Sequence, residues 1–393
     1  MADKERQVLI IGGGFAGWWA AKSLARKVPK NAAQIVLVDQ RQDIHMLPAL
    51  PDVAAGSIAP EYLSEQLRTL LPDSVAVVTD RIEQIDLARR VATGGRGDYL
   101  FDYLVLAAGS ATNFFGFQPG NESVYTLTSI ESAQRIHDDL QQYLNSAATP
   151  RAVVVGAGYT GLELAVALRT RADALGRDLP ITVLEKAPTL LPFLEAPERE
   201  YIATHLAAKD IEIRLGSSAT ALTDGVLQTE DGEQISNPFF CWAAGARRAL
   251  DGINGDLPLA RDGRILVDEF LEVPGMEGIF VAGDAAAISD GDTILRRSIN
   301  FSLYSGRHAG VNIARRIAGR APIRFKPVDL GWVIPLGEIS VGRVFGKFRV
   351  KGKLGMRLHY VMNGYRNFNA RNFFAFFGLS LKLPKRGRKR SAA

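Results

Sequence analysis

The chain has 393 residues, of which 47% are hydrophobic and 23% charged, with 38 glycines and one cysteine. A chain of this length can bury a large core and is expected to form two or three domains. Because Cys241 stands alone, the composition excludes a disulfide framework and any site built on a Cys-x-x-Cys pair.

Charge is distributed unevenly along the chain. The net charge is +5, yet residues 339–393 hold 14 lysines and arginines and no acid, so the part before them is acidic. Such asymmetry indicates an anionic partner, either a membrane surface or a nucleic acid. The segment before the first apolar run is too short for a signal peptide, so the expected location is the cytoplasm.

The first motif follows an apolar run at 8–11. Gly12, Gly14 and Gly17 form the pattern Gly-x-Gly-x-x-Gly, and a second apolar run at 35–38 ends in Asp39. In its context of strand, turn, helix and strand, this pattern is a dinucleotide-binding fingerprint. The glycines allow a tight turn, backbone approach to a pyrophosphate and close helix packing, and Asp39 is placed to accept from ribose hydroxyls.

The next stretch leads from Asp39 to a linker at 146–150. It begins with a proline-rich loop containing His45, which is expected to pack rather than to act as a base. The elements expected after it are a helix at 61–71, an antiparallel excursion over 75–79, 81–86, 90–93 and 99–101, a buried strand at 103–106 and a helix at 128–145. The buried strand leads into Ala108 and Gly109, whose small size suits close approach to a cofactor, although a tight core turn would give the same pattern.

A second fingerprint then repeats the first. Gly156, Gly158 and Gly161 follow an apolar run at 152–155, and a strand at 181–184 ends in Glu185. Two fingerprints predict two dinucleotide sites. Glu185 favours NADH over NADPH, because a carboxylate repels a 2′-phosphate and Lys186 is the single cation that follows it.

The second half also repeats the strand that ends in small residues. A helix at 198–209, a strand at 211–214 and an antiparallel excursion at 219–235 are expected to precede a buried strand that ends in Ala244 and Gly245. Cys241 lies within this strand and is expected to be a buried hydrophobic residue.

A further buried strand at 278–282 ends in Gly283 and Asp284, at the predicted start of a helix. The helix N-terminus would direct partial positive charge at a developing anion, and Asp284 would bond a polyol hydroxyl. A simple cap of the same helix is the alternative for Asp284.

The order of these motifs resembles the flavoprotein oxidoreductases with two dinucleotide-binding domains and, within them, the type II (non-proton-pumping) NADH:quinone oxidoreductases. The resemblance covers roughly residues 7–320 and is weaker beyond. The segments that carry it are the two fingerprints, Val-Ala-Ala-Gly at 53–56, Ala-Gly-Ser-Ala-Thr-Asn-Phe-Phe-Gly at 108–116, the Gly-Leu-Glu that ends at 163, Trp-Ala-Ala-Gly at 242–245 and Gly-Asp at 283–284.

The resemblance implies an α/β fold with two Rossmann-like domains, each with an antiparallel excursion, and a C-terminal membrane-associating segment. The implied domains are an FAD-binding domain at 1–118 and 256–325, an NADH-binding domain at 119–255 and a C-terminal domain at 326–393.

The same resemblance implies FAD at the first fingerprint, NADH at the second, hydride transfer between them and electron transfer to a membrane quinone. The implied FAD contacts are Gly12, Gly14, Phe15, Ala16, Gly17, Asp39, Ile82, Ala108, Gly109, Gly283 and Asp284. The implied NADH contacts are Gly156, Gly158, Tyr159, Thr160, Gly161, Glu185, Ala244 and Gly245. Glu163 matches the family's acidic residue beside the stacked rings and is the implied catalytic residue, although a carboxylate in a first helical turn also has a structural explanation. No metal is expected.

The acceptor site is where the sequence departs from the family. Relatives that pass electrons through cysteines are excluded, because residues 49–56 contain none. The family's quinone pocket uses a glutamine-rich helix segment, whereas here Tyr304 and Ser305 replace the glutamines. Asn300, Phe301 and Tyr304 are the candidate quinone contacts. A reductase of a soluble electron carrier, and a redox-sensing flavoprotein whose basic tail binds nucleic acid or a partner, remain as alternatives.

The tail combines phenylalanines with cations over 354–383 and ends in a basic run at 385–390. No apolar run approaches the ~20 residues that a membrane span requires. The pattern predicts an interfacial anchor on anionic lipid, at the cytoplasmic face of the cell membrane. Packing on the body is one alternative, and nucleic acid is disfavoured because the aromatic residues cluster apart from the cations. A homodimer is left open.

Overall fold

The computed structural model describes residues 5–29, 31–118 and 123–382, so the predicted basic run at 385–390 lies outside the described residues. The chain divides into two compact units. Unit 1 comprises Met1–His45, Glu65–Ala111 and Ala246–Leu330, and unit 2 comprises Met46–Ser64, Thr112–Gly245 and Gly331–Ala393. Each unit is assembled from three separate stretches of sequence. The cofactor-domain boundaries at 118, 255 and 325 stay a prediction.

Helices and strands alternate through both units. The helices of the described residues are α1 (Phe15–Ala25), α2 (Leu50–Ala55), α3 (Leu67–Leu70), α4 (Ile130–Ser146), α5 (Tyr159–Ala174), α6 (Ala196–Ala207), α7 (Ile299–Ile317), α8 (Gly352–Arg366) and α9 (Ala370–Lys382). Short 3-10 turns occupy Leu47–Ala49, Pro60–Tyr62 and Gly283–Ala285.

The strands of the described residues are β1 (Arg6–Ile11), β2 (Ala33–Asp39), β3 (Asp43–His45), β4 (Ser64–Gln66), β5 (Val75–Thr79), β6 (Ile82–Asp86), β7 (Val91–Gly94), β8 (Gly97–Leu100), β9 (Tyr103–Leu106), β10 (Ser110–Thr112), β11 (Ala152–Val155), β12 (Ile181–Glu185), β13 (Ile211–Leu215), β14 (Ala219–Thr223), β15 (Val226–Thr229), β16 (Gln234–Ser236), β17 (Phe239–Trp242), β18 (Ala246–Arg248), β19 (Ile253–Asn254), β20 (Ile265–Leu266), β21 (Ile279–Val281), β22 (Ala286–Ala287), β23 (Ser289–Asp290), β24 (Thr293–Ile294), β25 (Gly331–Leu336), β26 (Ile339–Val344) and β27 (Phe348–Lys351).

Unit 1 is built on a parallel sheet with the strand order β21-β9-β1-β2-β5. The central strand β1 is apolar without alternation and its residues from Val8 to Ile11 are buried, as expected for a parallel strand covered on both faces. Helices α1 and α7 pack so closely that a Cβ on Gly306 would overlap the backbone of Ala16, so glycine is required there. The predicted antiparallel excursion is present only in part, as β6, β7 and β8. The strand predicted within it at 75–79 is wrong in its placement, because it forms β5 and pairs in parallel with β2 at the edge of the main sheet.

Unit 2 repeats this arrangement. Its parallel sheet has the order β13-β12-β11-β17, which matches the order β5-β2-β1-β9 of unit 1. The predicted excursion over 219–235 is present as the antiparallel strands β14, β15 and β16. The α/β class with two Rossmann-like sheets is therefore confirmed.

The last part of unit 2 consists of an antiparallel sheet, β25-β26-β27, followed by the helices α8 and α9. Helix α8 packs on β26. The absence of a Cβ on Gly355 allows this contact, since a Cβ there would overlap the Ser340 hydroxyl. Helix α9 buries Phe376 and leaves Phe374 and Leu381 each 66% exposed. None of the described helices is long and apolar enough to cross a membrane.

Two predicted helices are wrong. In place of a helix over 61–71, the chain forms a 3-10 turn, the strand β4 and the four-residue α3. The Leu63 N–H donates to the carbonyl of Pro60 at 2.9 Å, and the Leu67 N–H donates to Gln42 at 3.0 Å, so tertiary pairing replaces the helical ladder. After Asp284 only a 3-10 turn forms, because Ala286 and Ala287 extend to pair with β20.

Candidate functional site

The loop after β1 has the geometry that its glycines predict. Gly12 adopts a φ of +101°, which favours glycine, and its N–H donates to the Val38 carbonyl at 2.8 Å. A Cβ on Gly17 would overlap the Gly12 carbonyl oxygen, so α1 can begin this close only with glycine there. Around Gly14, by contrast, a Cβ would meet no atom within 4 Å. The loop therefore presents bare backbone to an open space at the start of α1.

Asp39 stands at the end of β2, beside this loop. Its carboxylate accepts from the N–H groups of Gly13, at 2.6 Å, and Arg41, at 2.7 Å. A carboxylate has about four acceptor positions, so capacity remains for ribose hydroxyls. A cavity of about 500 Å³ opens here, with Gly12, Asp39, Ile82 and Ala108 of the predicted FAD contacts in its walls.

The remaining predicted FAD contacts lie at the start of α1 and around the Gly283 turn. Phe15 and Ala16 are buried in the first turn of α1, and Gly109 adopts a φ of +73°. The Gly283 N–H donates to the Ser305 hydroxyl at 2.9 Å. Ser305, which replaces a family glutamine, therefore fixes this turn from α7.

The Asp284 carboxylate accepts from the hydroxyls of Ser110, at 3.4 Å, and Ser302, at 3.3 Å. Burial raises the pKa of Asp284, and the positive charge of Arg297 opposes that rise. The buried Nε and Nη2 of Arg297 have no hydrogen-bond partner within the described part of the chain. This cation, the bare backbone at Gly14 and the free acceptor positions of Asp39 fit a dinucleotide with an anionic centre and hydroxyl groups.

The second loop has the same geometry. Gly156 also adopts a φ of +101°, and a Cβ on it would lie 2.8 Å from the Ala244 Cα. A Cβ on Gly161 would overlap the Gly156 carbonyl oxygen, whereas one on Gly158 would meet no atom within 4 Å. Glu185 corresponds to Asp39, since it accepts from the N–H groups of Ala157 at 2.8 Å and Ala187 at 2.9 Å.

A cavity of about 780 Å³ opens from this loop. Its walls include Gly156, Gly158, Glu185, Ala244 and Gly245 of the predicted NADH contacts. Thr160 is exposed just outside it, and the Tyr159 ring packs with Phe193 and Trp332, with centroids 5.6 and 6.2 Å apart. The cavity and its backbone loop fit a second dinucleotide.

Aromatic residues that were not among the predicted NADH contacts also line this cavity. The Trp242 indole N–H points at two carbonyl oxygens, that of Asn113 at 3.0 Å and that of Ala244 at 2.9 Å. Phe115 adopts a φ of +49° and places its ring where a Cβ of Gly245 would be. Gly245 is therefore required by the aromatic segment beside it, and the Phe-Phe at 114–115 was the available signal.

At the ribose end of the cavity, Lys186 pairs with Glu230, with a distance of 3.1 Å between the ammonium and the carboxylate. Both residues line the cavity with Glu185. The single cation that follows the ribose acid is therefore already neutralised.

Glu163 lies in a third cavity, of about 360 Å³, within unit 2. Its walls include Asp52, Glu163, Glu338, Met356, Tyr360 and Lys382. Burial raises the pKa of Glu163 well above its usual value, and the nearby charge of Asp52 raises it further. Burial also raises the pKa of Asp52 to about 6, although the Tyr360 hydroxyl, which donates to Asp52 Oδ1 at 2.9 Å, opposes the rise.

The candidate quinone contacts lie elsewhere. Asn300 and Phe301 are buried in the first turns of α7 in unit 1, and Tyr304 is half-buried on the same helix. None of the three lines any of the three cavities described above. Their role in quinone binding stays a prediction.

Two remaining features concern redox centres. Cys241 is fully buried in β17, and burial raises the pKa of its thiol, so the prediction of a hydrophobic role is confirmed. No cluster of three or more His, Cys, Asp or Glu side chains suited to a metal ion occurs among residues 5–29, 31–118 and 123–382.

Two parallel sheets of equal order and two glycine loops of equal geometry define a flavin- and pyridine-nucleotide-dependent class of oxidoreductase. The family model described as pyridine nucleotide-disulphide oxidoreductase matches residues 6–310. The chain belongs to this family.

Individual relatives show which members of this family the chain is similar to. The chain is 26% identical to the type II NADH:quinone oxidoreductase of Staphylococcus aureus (strain NCTC 8325 / PS 47), over 98% of this chain and 99% of that protein. It is 32% identical to a NADH dehydrogenase-like protein of Mycobacterium tuberculosis (strain CDC 1551 / Oshkosh), over 83% and 86% of the two chains. The similarity to type II NADH:quinone oxidoreductases that the sequence predicted is confirmed.

Solved structures agree on the fold. NDH2 from Plasmodium falciparum, in complex with NADH, superposes with a TM-score of 0.82 at 14% identity and covers 96% of this chain and 98% of its own. The sulfide:quinone oxidoreductase of Aquifex aeolicus gives 0.76 at 20% identity, over 96% and 94%. At these identities the likeness concerns the fold alone.

Proposed function

We propose that the protein is an FAD-dependent NADH:quinone oxidoreductase of the type II class. The observation that carries the proposal is the pair of glycine loops, each with an open backbone and a carboxylate at the ribose position. The full-length similarity to a type II NADH:quinone oxidoreductase supports the same activity.

FAD is the cofactor and NADH the electron donor. Bound at the Gly12 loop, the flavin supplies the chemistry of accepting a hydride and releasing two electrons. The protein's own part is to hold the two dinucleotides through backbone N–H groups, to accept ribose hydroxyls at Asp39 and Glu185, and to hold protons at Glu163 and Asp52. Because Cys241 is buried and has no cysteine partner in the sequence, electrons pass to the acceptor without a thiol relay.

Steady-state oxidation of NADH tests the function directly. We expect the FAD-loaded protein to oxidise NADH rapidly only when a short-chain quinone is present, with one quinol formed per NADH. NADPH is expected to be a poor donor, because Glu185 and the neutralised Lys186 disfavour a 2′-phosphate. Flavin that stays oxidised in the presence of excess NADH would refute the proposal.

The acceptor is a membrane quinone, and we place the protein on the cytoplasmic face of the cell membrane through an aromatic face. This face consists of Phe374, Phe377 and Leu381 on α9, which project from one side of the helix at a spacing of three and four residues. Lys382 and Arg371 flank it. Full burial of an exposed phenylalanine contributes about 1.5–3 kcal/mol, and Phe374 and Phe377 can add only the part that corresponds to their exposed 66% and 40%. Each nearby cation adds about 1 kcal/mol on anionic lipid.

Vesicle flotation tests this placement. The full chain is expected to float with vesicles that contain anionic lipid, and Phe374→Ser combined with Leu381→Ser is expected to leave most of it in the soluble fraction. Phe376 is buried under the same helix and is unsuitable as a control, so Leu259→Ser, at an exposed leucine of unit 1, serves as the matched variant. Equal flotation of all three proteins would refute the aromatic face as the anchor.

A further inference from the structure

The cavity around Glu163 contains a second carboxyl group that the sequence did not identify. Asp52 lies in α2 and Glu163 lies in α5, two helices that pack against each other within unit 2. Both side chains line the same cavity of about 360 Å³. Asp52 is 308 residues from its hydrogen-bond partner Tyr360, which reaches it from α8. Three separate parts of the chain therefore meet around these two acids.

We propose that Asp52 and Glu163 form an electrostatically coupled carboxyl pair, in which the Tyr360 hydroxyl positions Asp52 and the pair retains one proton for the reduction of the acceptor. Two partly buried carboxyl groups that line one cavity do not both ionise easily, so the pair keeps a proton where an isolated carboxyl would lose it. Burial raises the pKa of both groups, in agreement with this arrangement. Their titration belongs to the pair rather than to either residue alone.

The role of the pair rests on the proposed function, because the reduction of a quinone is the step that requires a proton. NADH gives up two electrons and one proton as a hydride, whereas a quinone takes two electrons and two protons to become a quinol. One more proton per turnover must therefore come from the protein or from water. The pair can give its retained proton to the acceptor and take one back from solvent, so that neither carboxyl is changed over the cycle.

The other charged groups around Asp52 do not substitute for the pair. From the turn between β25 and β26, Glu338 lines the cavity, but its carboxylate is paired with Lys209 at 2.9 Å. Lys382 of α9 also lines the cavity and supplies a positive charge at its wall. On α4, the His137 Nδ1 lies 3.2 Å from the carbonyl of Ala54, a neighbour of Asp52 in α2.

On α8, the residue next to Tyr360 is His359. It interacts with the Asn363 amide at 2.9 Å, and burial lowers its pKa to about 4. His359 is therefore neutral in the pH range in which the carboxyl pair titrates, and Glu163 is the acid that responds to the charge of Asp52.

Infrared difference spectroscopy of the FAD-loaded protein can follow the pair directly through the C=O stretch of protonated carboxyl groups. Glu163→Gln assigns the Glu163 band by its loss. In Asp52→Asn, the negative neighbour is gone, so we expect the Glu163 band to titrate about one pH unit or more lower than in the unmodified protein. In Tyr360→Phe, the charged form of Asp52 loses its donor, so the Asp52 band should persist to higher pH. Glu338→Gln, the matched control in the same cavity, should shift neither band.

The pH profile of quinone-dependent NADH oxidation gives the second readout. The limb on which activity falls with rising pH should move to lower pH in Asp52→Asn and stay unchanged in Glu338→Gln. Flavin absorbance and thermal unfolding show whether each variant is folded, and Tyr360→Phe carries the test if Asp52→Asn does not fold. A Glu163 band that titrates at the same pH with and without the Asp52 charge overturns the pair. If the unmodified protein reduces no quinone, the proposed function fails while the infrared result still decides the pair.

Discussion

The substitution Gly158→Ala is expected to separate nucleotide binding from folding, in contrast to substitutions at Gly156 and Gly161. Gly158 has φ −71° and ψ −177°, which any residue adopts, and a Cβ there meets no atom within 4 Å. Gly158→Ala should therefore fold normally and gain about 0.4–1 kcal/mol, because the unfolded chain loses freedom. The added methyl group enters the space that the pyrophosphate needs.

The expected loss of NADH affinity follows from the bonds at risk. A hydrogen bond from a backbone N–H to a charged group contributes about 1.5–3 kcal/mol, so displacement of the phosphate should raise the dissociation constant of NADH about tenfold to a hundredfold. Gly156→Ala is the contrasting variant. Its φ of +101° costs an L-residue about 1–2 kcal/mol, and its Cβ would also crowd the Ala244 backbone.

Rapid-mixing measurements of flavin reduction against NADH concentration give the affinity, while flavin absorbance and thermal unfolding report on cofactor content and folding. Gly158→Ala should keep its FAD and its unfolding temperature but require far more NADH. Gly14→Ala, at the equivalent open position of the first loop, should instead lower FAD content. Unchanged NADH affinity in Gly158→Ala, or a loss of FAD from it, would refute the assignment of the two loops.

Three further outcomes are expected. Glu230→Gln should raise the ratio of kcat/KM for NADPH to that for NADH by up to about fivefold, because it frees Lys186 from an exposed ion pair, whereas Glu233→Gln, on the same hairpin but outside this cavity, should not. Cys241→Ser should lower the free energy of unfolding by about 1–3 kcal/mol, measured by thermal unfolding, because it buries a hydroxyl group. Turnover should be unchanged, because the buried thiol takes no part in electron transfer. The pKa of His359 is about 4 in the folded protein, below the 6.5 of an unfolded histidine, so its contribution to stability is complete above pH 6.5 and is lost as the pH falls toward 4. The variant His359→Gln should therefore flatten this part of the plot of unfolding free energy against pH. An unchanged plot would contradict the burial of a neutral imidazole.

The glycine loops were predictable because the constraint on their third glycine is local. Gly12 and Gly17 are five residues apart in sequence, and the backbone overlap that forces glycine at position 17 involves only Gly12 itself. The acids at the ends of β2 and β12 follow from the same short unit, since each bonds the N–H group that follows the first glycine of its loop. Two such units, one after the other, also specify two sheets of the same strand order.

The features that the sequence did not reveal depend on distant contacts. Helix propensity favoured a helix at 61–71, but the Leu67 N–H finds its partner at Gln42, and local preference carries no information about that bond. Asp284 was expected to open a helix, yet the strand partner at Ile265 and Leu266 draws the following alanines into extended structure. Asp52 was not identified from the sequence, where it is a single acid in an apolar, proline-rich segment, and its partner Tyr360 lies 308 residues away.

The cavity around the carboxyl pair also has a consequence for the order of events during biosynthesis. Its walls from α2 and α5 precede those from α8 and α9 in the chain, and Tyr360 is among the later contributions. Both glycine loops leave the ribosome well before these two helices do. A chain that ends before α8 would therefore carry both glycine loops but would lack Tyr360 and the aromatic face of α9.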